Sequence, residues 1–181
     1  VTTIVGVVKN GHVIMGADSL VTAGNSKYSH PQMIKIINNN GYLIGGAGDV
    51  LACDILMYMW IPPMPNVNQR KNIYKFMITD VVPSMREALE ENGYKIDAND
   101  KDAGFEMLLA LDGELFSISN DFSVLMDETG IYGVGSGSPW AIAALDAGAT
   151  VEKALEIAEK RSPYTAGPFQ IIKQSKSIKS K

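Results

Sequence analysis

Thr3-Ile4-Val5-Gly6-Val7-Val8, then Asn10-Gly11, then His12-Val13-Ile14-Met15-Gly16-Ala17, is the stretch on which the fold turns. The first run is rich in β-branched residues and reads as a buried strand. Asn-Gly is the strongest short hairpin signal, because both turn positions need positive φ. The chain therefore returns antiparallel, and a two-residue turn brings Asp18 opposite Thr3. Chain-end curl or a bulge would change that pairing, so the face Asp18 occupies stays open at this level.

The same grammar recurs downstream. Met33-Ile34-Lys35-Ile36-Ile37 reads as a strand with one charge in it, Asn38 to Gly41 as a turn, and Tyr42 to Ala47 as the strand that follows. Asp18 to Gln32 is polar and is expected to be an irregular loop. Asp49 is a good N-cap for a helix running to Trp60, which Pro62-Pro63 stops. A second helix is expected from Arg70 to Glu91, kinked or divided at Pro83. Phe105 to Leu111 and Glu114 to Ser119 form another hairpin about Asp112-Gly113. Ile131 to Val134 is a short strand, Ser138 to Ala147 and Thr150 to Lys160 are helices, and Phe169 to Lys173 is the last strand. Residues 1–173 thus read as one domain, and 174–181 as a disordered Lys/Ser-rich tail. The order of strands, helices, strands, helices, strand does not alternate as in a parallel sheet. It suits an α+β fold of four layers, two antiparallel sheets packed together with helices outside both.

Composition narrows the chemistry. A net charge of -4 over 181 residues offers no electrostatic basis for nucleic acid binding. One cysteine excludes an internal disulfide framework, and two histidines without metal spacing make a metal site unexpected. No stretch is apolar for long enough to span a membrane as a helix, and the start reads as strand rather than signal peptide. A cytoplasmic protein without metal or cofactor is the default expectation.

Thr2 taken alone is most simply a strand residue. A threonine hydroxyl becomes a useful nucleophile only beside a base. The α-amine of the same residue can be that base when the residue begins the chain, since its pKa lies near about 7.7–8.0. A nearby cation would lower that value, and a carboxylate would hold the cation in place. Lys35 and Asp18 are the residues available, although Lys35 is also readable as an edge lysine reaching solvent. Gly46-Ala47-Gly48 before a helix could present an N–H to an oxyanion or be only a tight turn. Gly133-Val134-Gly135-Ser136-Gly137-Ser138 has the same ambiguity, and a phosphate loop is disfavoured because Gly-Lys-Ser/Thr is missing.

Together, Thr2 to Val8, Gly16-Ala17-Asp18-Ser19, Gly46-Ala47-Gly48 and Gly133 to Ser138 resemble the proteasome β-subunit and HslV family of N-terminal-nucleophile hydrolases. Wording, spacing and order agree across most of the chain, with little resemblance from about residue 60 to 102. The resemblance implies the αββα sandwich and a threonine endopeptidase. It matches Thr2 to the catalytic threonine, Asp18 and Lys35 to its charged partners, Gly48 to the oxyanion donor and Ser136 to the family serine. Thr165 of Ser162-Pro163-Tyr164-Thr165 stands where the family usually has the serine of an Asp-x-x-Ser pattern. The aspartate is absent here, and HslV departs in the same way. Thr22 and Gly48 would flank the substrate strand, and Gly46 would leave a roomy pocket for a bulky apolar side chain. The implied partners are peptide or unfolded protein, further copies in stacked hexameric or heptameric rings, and an ATPase unfoldase. Val1 precedes Thr2, so Thr2 gains a free amine only if Val1 is removed. A proenzyme, a silent assembly subunit and a small-amide amidase are the competing expectations.

Overall fold

The computed structural model describes residues 2–95 and 104–176. Val1 and tail residues 177–181 lie outside the described residues. Strands β1 (Ile4–Lys9) and β2 (His12–Ala17) pair from Ile4↔Ala17 to Lys9↔His12. Asn10 and Gly11 both take positive φ, 54° and 73°, as the hairpin requires. Two short strands follow, β3 (Val21–Ala23) and β4 (Ser26–Tyr28), in the stretch expected to be an irregular loop. At three residues each, they are too short for an alternation to announce them.

Strand β5 (Ile36–Asn39) begins three residues later than expected, and its turn to β6 (Tyr42–Gly48) is Asn40-Gly41. Lys35 therefore precedes the strand instead of alternating within it. Strands β7 (Phe105–Leu111) and β8 (Glu114–Ser119) form the second hairpin, again with positive φ at Asp112 and Gly113. A short β9 (Val124–Leu125) completes one sheet in the order β5-β6-β7-β8-β9. With β10 (Ile131–Val134) and β11 (Gln170–Ser175), the other sheet has the order β10-β1-β2-β11. Strand β11 runs two residues beyond the expected end: Gln174 and Ser175 pair with Val13 and His12, and Gln174 donates to the carbonyl of Gly41 at 2.9 Å.

Alternation along the strands explains the layering, since successive side chains point to opposite faces. In β1, Ile4 enters the core between the sheets while Val5 faces the helices α4 (Ser138–Asp146) and α5 (Val151–Arg161). In β7, Leu108 and Ala110 face the other sheet, while Met107, Leu109 and Leu111 face the helices of the opposite side. Both faces of each sheet are covered, which is why these strands read as nearly continuous apolar runs. Gly16 lets α5 lie close to its sheet; a Cβ there would collide with Val151.

The other helical layer is irregular. Helix α1 (Val50–Asp54) is capped by Asp49, whose carboxylate accepts from the N–H groups of Leu51 and Ala52. It continues as a widened turn over Ile55–Met59, closed by Trp60 N–H to the Ile55 carbonyl at 2.8 Å. The segment expected as one helix from 70 to 91 is divided. A 3-10 turn at Gln69–Asn72 leads into α2 (Ile73–Phe76), then a widened turn over Met77–Val81, then α3 (Val82–Glu91). Pro83 sits in the first turn of α3, where its missing N–H costs nothing, and the widening lies just ahead of it. No described helix is long and apolar enough to cross a membrane.

A second side chain of β11 also ties the two sheets together at their edges. Gln170 accepts from Ile36 N–H at 3.1 Å and donates to the Ile36 carbonyl at 2.7 Å. Its amide thereby acts as a ladder rung between β11 and β5.

Candidate active site

The open end of the first hairpin is polar and buried. Asp18 N–H donates to the Thr3 carbonyl at 3.0 Å, and Thr3 N–H donates to Asp18 Oδ1 at 2.9 Å. The pairing that the two-residue turn implied is thus the one observed. The Asp18 carboxylate accepts three further bonds, from Lys35 Nζ at 2.6 Å, Leu20 N–H at 3.2 Å and Ala166 N–H at 3.3 Å. Lys35 Nζ also donates to the Leu20 carbonyl at 2.6 Å. Lys35 and Asp18 are 7% and 2% exposed, so the pair is shielded from water. Burial holds the Lys35 ammonium below its ordinary pKa, and the Asp18 carboxylate opposes that shift.

Thr2 follows from the same arrangement, at the end of the strand that carries Thr3. It is 7% exposed. Its carbonyl accepts from Gly137 N–H at 3.3 Å. Gly135, at φ +87°, lies so close that a Cβ would collide with the Thr2 carbonyl. The turn between these two glycines carries Ser136, which is exposed beside Thr2. Glu106 accepts from Gly135 N–H at 3.1 Å and ties this turn to the second sheet. The Thr165 hydroxyl is 2.6 Å from the hydroxyl of Thr3, so its direct partner is Thr3 and not Thr2.

Above this network lies a cavity of about 620 Å³ whose walls include Thr2, Thr22, Lys35, Gly46 and Gly48. Residues separated by up to 46 positions in sequence are thereby brought to one space. Gly48 takes φ +97°, and a Cβ there would collide with the Gly104 carbonyl. Gly46 and Cys53 adjoin on the cavity wall, and a Cβ at Gly46 would sit 2.7 Å from Cys53 Sγ. Burial first, then the carboxylates of Asp54 and Asp49, push the Cys53 thiol up to about 12. It therefore remains protonated near neutral pH and forms a small apolar wall, not a competing nucleophile. No cluster of metal-ligating side chains occurs among the described residues.

No family model matches the chain. Over 185 residues it is 28% identical to the ATP-dependent protease subunit HslV of Pseudothermotoga lettingae, an alignment spanning 94% of this chain and 96% of that protein. The chain is similar to HslV. Its fold superposes on Thiobacillus denitrificans BPH, solved in complex with epoxomicin, with TM-score 0.76 at 22% identity, covering 98% of this chain and 100% of that one. Eukaryotic HslV from Trypanosoma brucei superposes with TM-score 0.66 at 23% identity, covering 96% and 99%. The shared architecture is a four-layer αββα sandwich built on two antiparallel sheets.

Beyond the residues expected from the sequence, other residues line the candidate site. Thr3 is fully buried and links Thr165 to the first strand. Cys53, Met57 and Tyr58 line the cavity from α1 and its widened turn. Thr3 was legible as the second residue of a β-branched run but gave no sign of facing Thr165, 162 positions away. The α1 residues repeat at helical spacing, but the widened turn that sets where Met57 and Tyr58 point has no local sequence signature.

Proposed function

We propose that this chain is the threonine endopeptidase subunit of a self-compartmentalised, HslV-like protease. Relationship to HslV supports a proteasome-like peptidase, and one observation carries the finer reading. The buried Lys35–Asp18 pair and Thr2 share one polar end, with Lys35 and Thr2 facing the same cavity. A buried ion pair adds little to stability against a well-packed apolar alternative, so its presence here is best understood through the charge it offers to chemistry.

In this reading the Thr2 hydroxyl attacks the peptide carbonyl while the Thr2 α-amine takes its proton. That step requires Thr2 to begin the chain, since an amide nitrogen is not a base. The Lys35 cation favours the neutral amine, and Asp18 fixes Lys35. Gly48 N–H receives the tetrahedral oxyanion, a contribution typically worth about a hundredfold or more in rate. Collapse breaks the C–N bond, the protonated amine gives its proton to the leaving group, and water activated by the same amine hydrolyses the ester. Ser136 lies at the open side of Thr2, Thr165 holds Thr3, and Thr22 and Gly48 bracket an extended substrate by backbone hydrogen bonds.

Peptides or unfolded chains are the proposed substrates, within stacked hexameric or heptameric rings fed by an ATPase unfoldase. The name of the curated relative, an ATP-dependent protease subunit, supports this.

The test is mass spectrometry after treatment with epoxomicin, on wild type and Thr2→Ala. An adduct on Thr2 with a free amine, absent from the variant, is the expected result. Labelling that survives Thr2→Ala removes Thr2 from the mechanism. No adduct and no peptide turnover would favour a silent assembly subunit.

A further inference from the structure

Strand β7 carries one charge, Glu106. It lies on the same face as Leu108 and Ala110, which enter the core between the sheets, and it ends that row with a carboxylate. Glu106 enters no salt bridge among the described residues. Its Oε2 accepts instead from Gly135 N–H at 3.1 Å. Gly135 is the first residue beyond the last rung of β10 on β1, Ile4↔Val134, so its N–H falls outside the ladder. The turn held in this way touches Thr2 twice. A Cβ on Gly135 would lie 2.2 Å from the Thr2 carbonyl oxygen, and Gly137 N–H donates to that oxygen at 3.3 Å. Ser136 stands between the two glycines. The residues just before Glu106 brace another part of the site. Phe105 pairs with Gly48, and the Gly104 carbonyl accepts from Asp49 N–H at 2.9 Å. One three-residue segment, Gly104 to Glu106, thus meets the Gly48 segment through its backbone and the Gly135 turn through a single side chain.

We infer that Glu106 is a positioning residue for the chemistry at Thr2. Its carboxylate holds the turn from Gly135 to Gly137, and through that turn it sets the Thr2 carbonyl and Ser136 against the Gly48 segment. A hydrogen bond from an N–H to a carboxylate is stronger and shorter than one between neutral groups, which suits it to hold a turn at the surface. Glu106 does not line the cavity, so it acts on the reacting groups and not on the substrate side chain. The hydrogen bond, not the charge, does the holding, and glutamine offers the same acceptor at the same reach. Displacing a reacting group by about 1 Å costs on the order of a hundredfold in rate. The inference rests on the reading of Thr2 as the nucleophile.

The experiment compares wild type with Glu106→Leu, Glu106→Asp and Glu106→Gln, by turnover of one fluorogenic peptide and by amide hydrogen exchange across residues 131–138. Glu106→Leu is expected to lower kcat by roughly ten- to a hundredfold while KM changes by less than about twofold, and to speed exchange at Gly135. Glu106→Asp keeps the charge but falls one methylene short of Gly135, so it is expected to lose much of the rate as well. It carries the test alone if Glu106→Leu does not fold. Glu106→Gln is expected to recover most of the rate and the protection, with its pH–rate profile in place, because Lys35 and Asp18 are untouched. Wild-type kcat in Glu106→Leu and Glu106→Asp, or unaltered exchange at Gly135 in both, would overturn the assignment. So would a slow Glu106→Gln with a displaced pH–rate profile, since charge would then be the property that matters. If the wild-type protein neither cleaves peptide nor takes an epoxomicin adduct, the reading of Thr2 fails. Exchange at Gly135 then decides by itself whether Glu106 holds the turn.

Discussion

The two hairpins, β1–β2 and β7–β8, are built alike and end differently. Each is closed by a two-residue turn with positive φ, at Asn10-Gly11 and Asp112-Gly113, and each belongs to a different sheet. At the open end of β7–β8, Phe105 packs edge-on between Tyr94 and Phe122, with ring centroids 6.3 and 5.9 Å away. At the open end of β1–β2, the equivalent space holds Thr3, Asp18, Lys35 and Thr165, all buried and polar. The aromatic end is what stability alone would select, because it buries apolar area without desolvating charge. The ionic end has to recover its desolvation through a full set of hydrogen bonds. Two similar frames with opposite interiors separate an end that holds the molecule together from the end that, in the proposed function, serves chemistry.

The sharpest way to break this contrast is to remove the indispensable partner at each end. Phe105→Ala and Asp18→Asn are both expected to lose about 3–5 kcal/mol in urea unfolding, the first through a cavity and the second by leaving Lys35 buried beside a neutral amide. A far smaller loss for Asp18→Asn would mean that water reaches Lys35. Next come the turns. The two hairpins touch at their closed ends, where a Cβ on Gly113 would collide with the Gly11 carbonyl, while Gly11 has room around it. Gly11→Ala is expected to cost about 1–2 kcal/mol from backbone strain alone, and Gly113→Ala measurably more by the same assay. Equal losses would show that the turns move apart freely.

The smallest stability effect is expected at Lys35→Met, roughly 1 kcal/mol, because Asp18 keeps its bonds from Thr3, Leu20 and Ala166. Its effect on turnover is the reverse. In the proposed mechanism, peptidase activity rises with pH as the Thr2 amine loses its proton. Loss of the cation removes what favours the neutral amine, so any residual activity of Lys35→Met should need a higher pH. A pH–rate profile that stays in place would indicate that Lys35 does not act on the amine.

Local signals revealed the hairpins and most helices because Asn-Gly, Asp-Gly, Pro83 and the capping residues Asp49 and Thr150 constrain the backbone directly. The layers were legible because strand runs that stay apolar on both faces need cover on both sides. Lys35 was placed in a strand because Ile34, Ile36 and Ile37 are apolar; tertiary contact with Asp18 draws it out ahead of the strand instead. The partnership of Thr165 with Thr3 depends on contact between distant elements that no local pattern records. The Asp18–Lys35 association was inferred from family resemblance and from the cost of burying a lone lysine.

The rung made by Gln170 has a consequence for the order in which the protein comes into being. Thr2 precedes Ala166 and Gln170 in chain order, yet Ala166 must arrive before Asp18 has all its donors, and Gln170 before the strand beside Lys35 is clamped. The candidate site is thus begun by early residues and completed only by ones made much later. In the functional reading given above, a nascent or truncated chain carries its hydroxyl but not the finished environment around it, so that maturity of the whole polypeptide is itself the safeguard on the site.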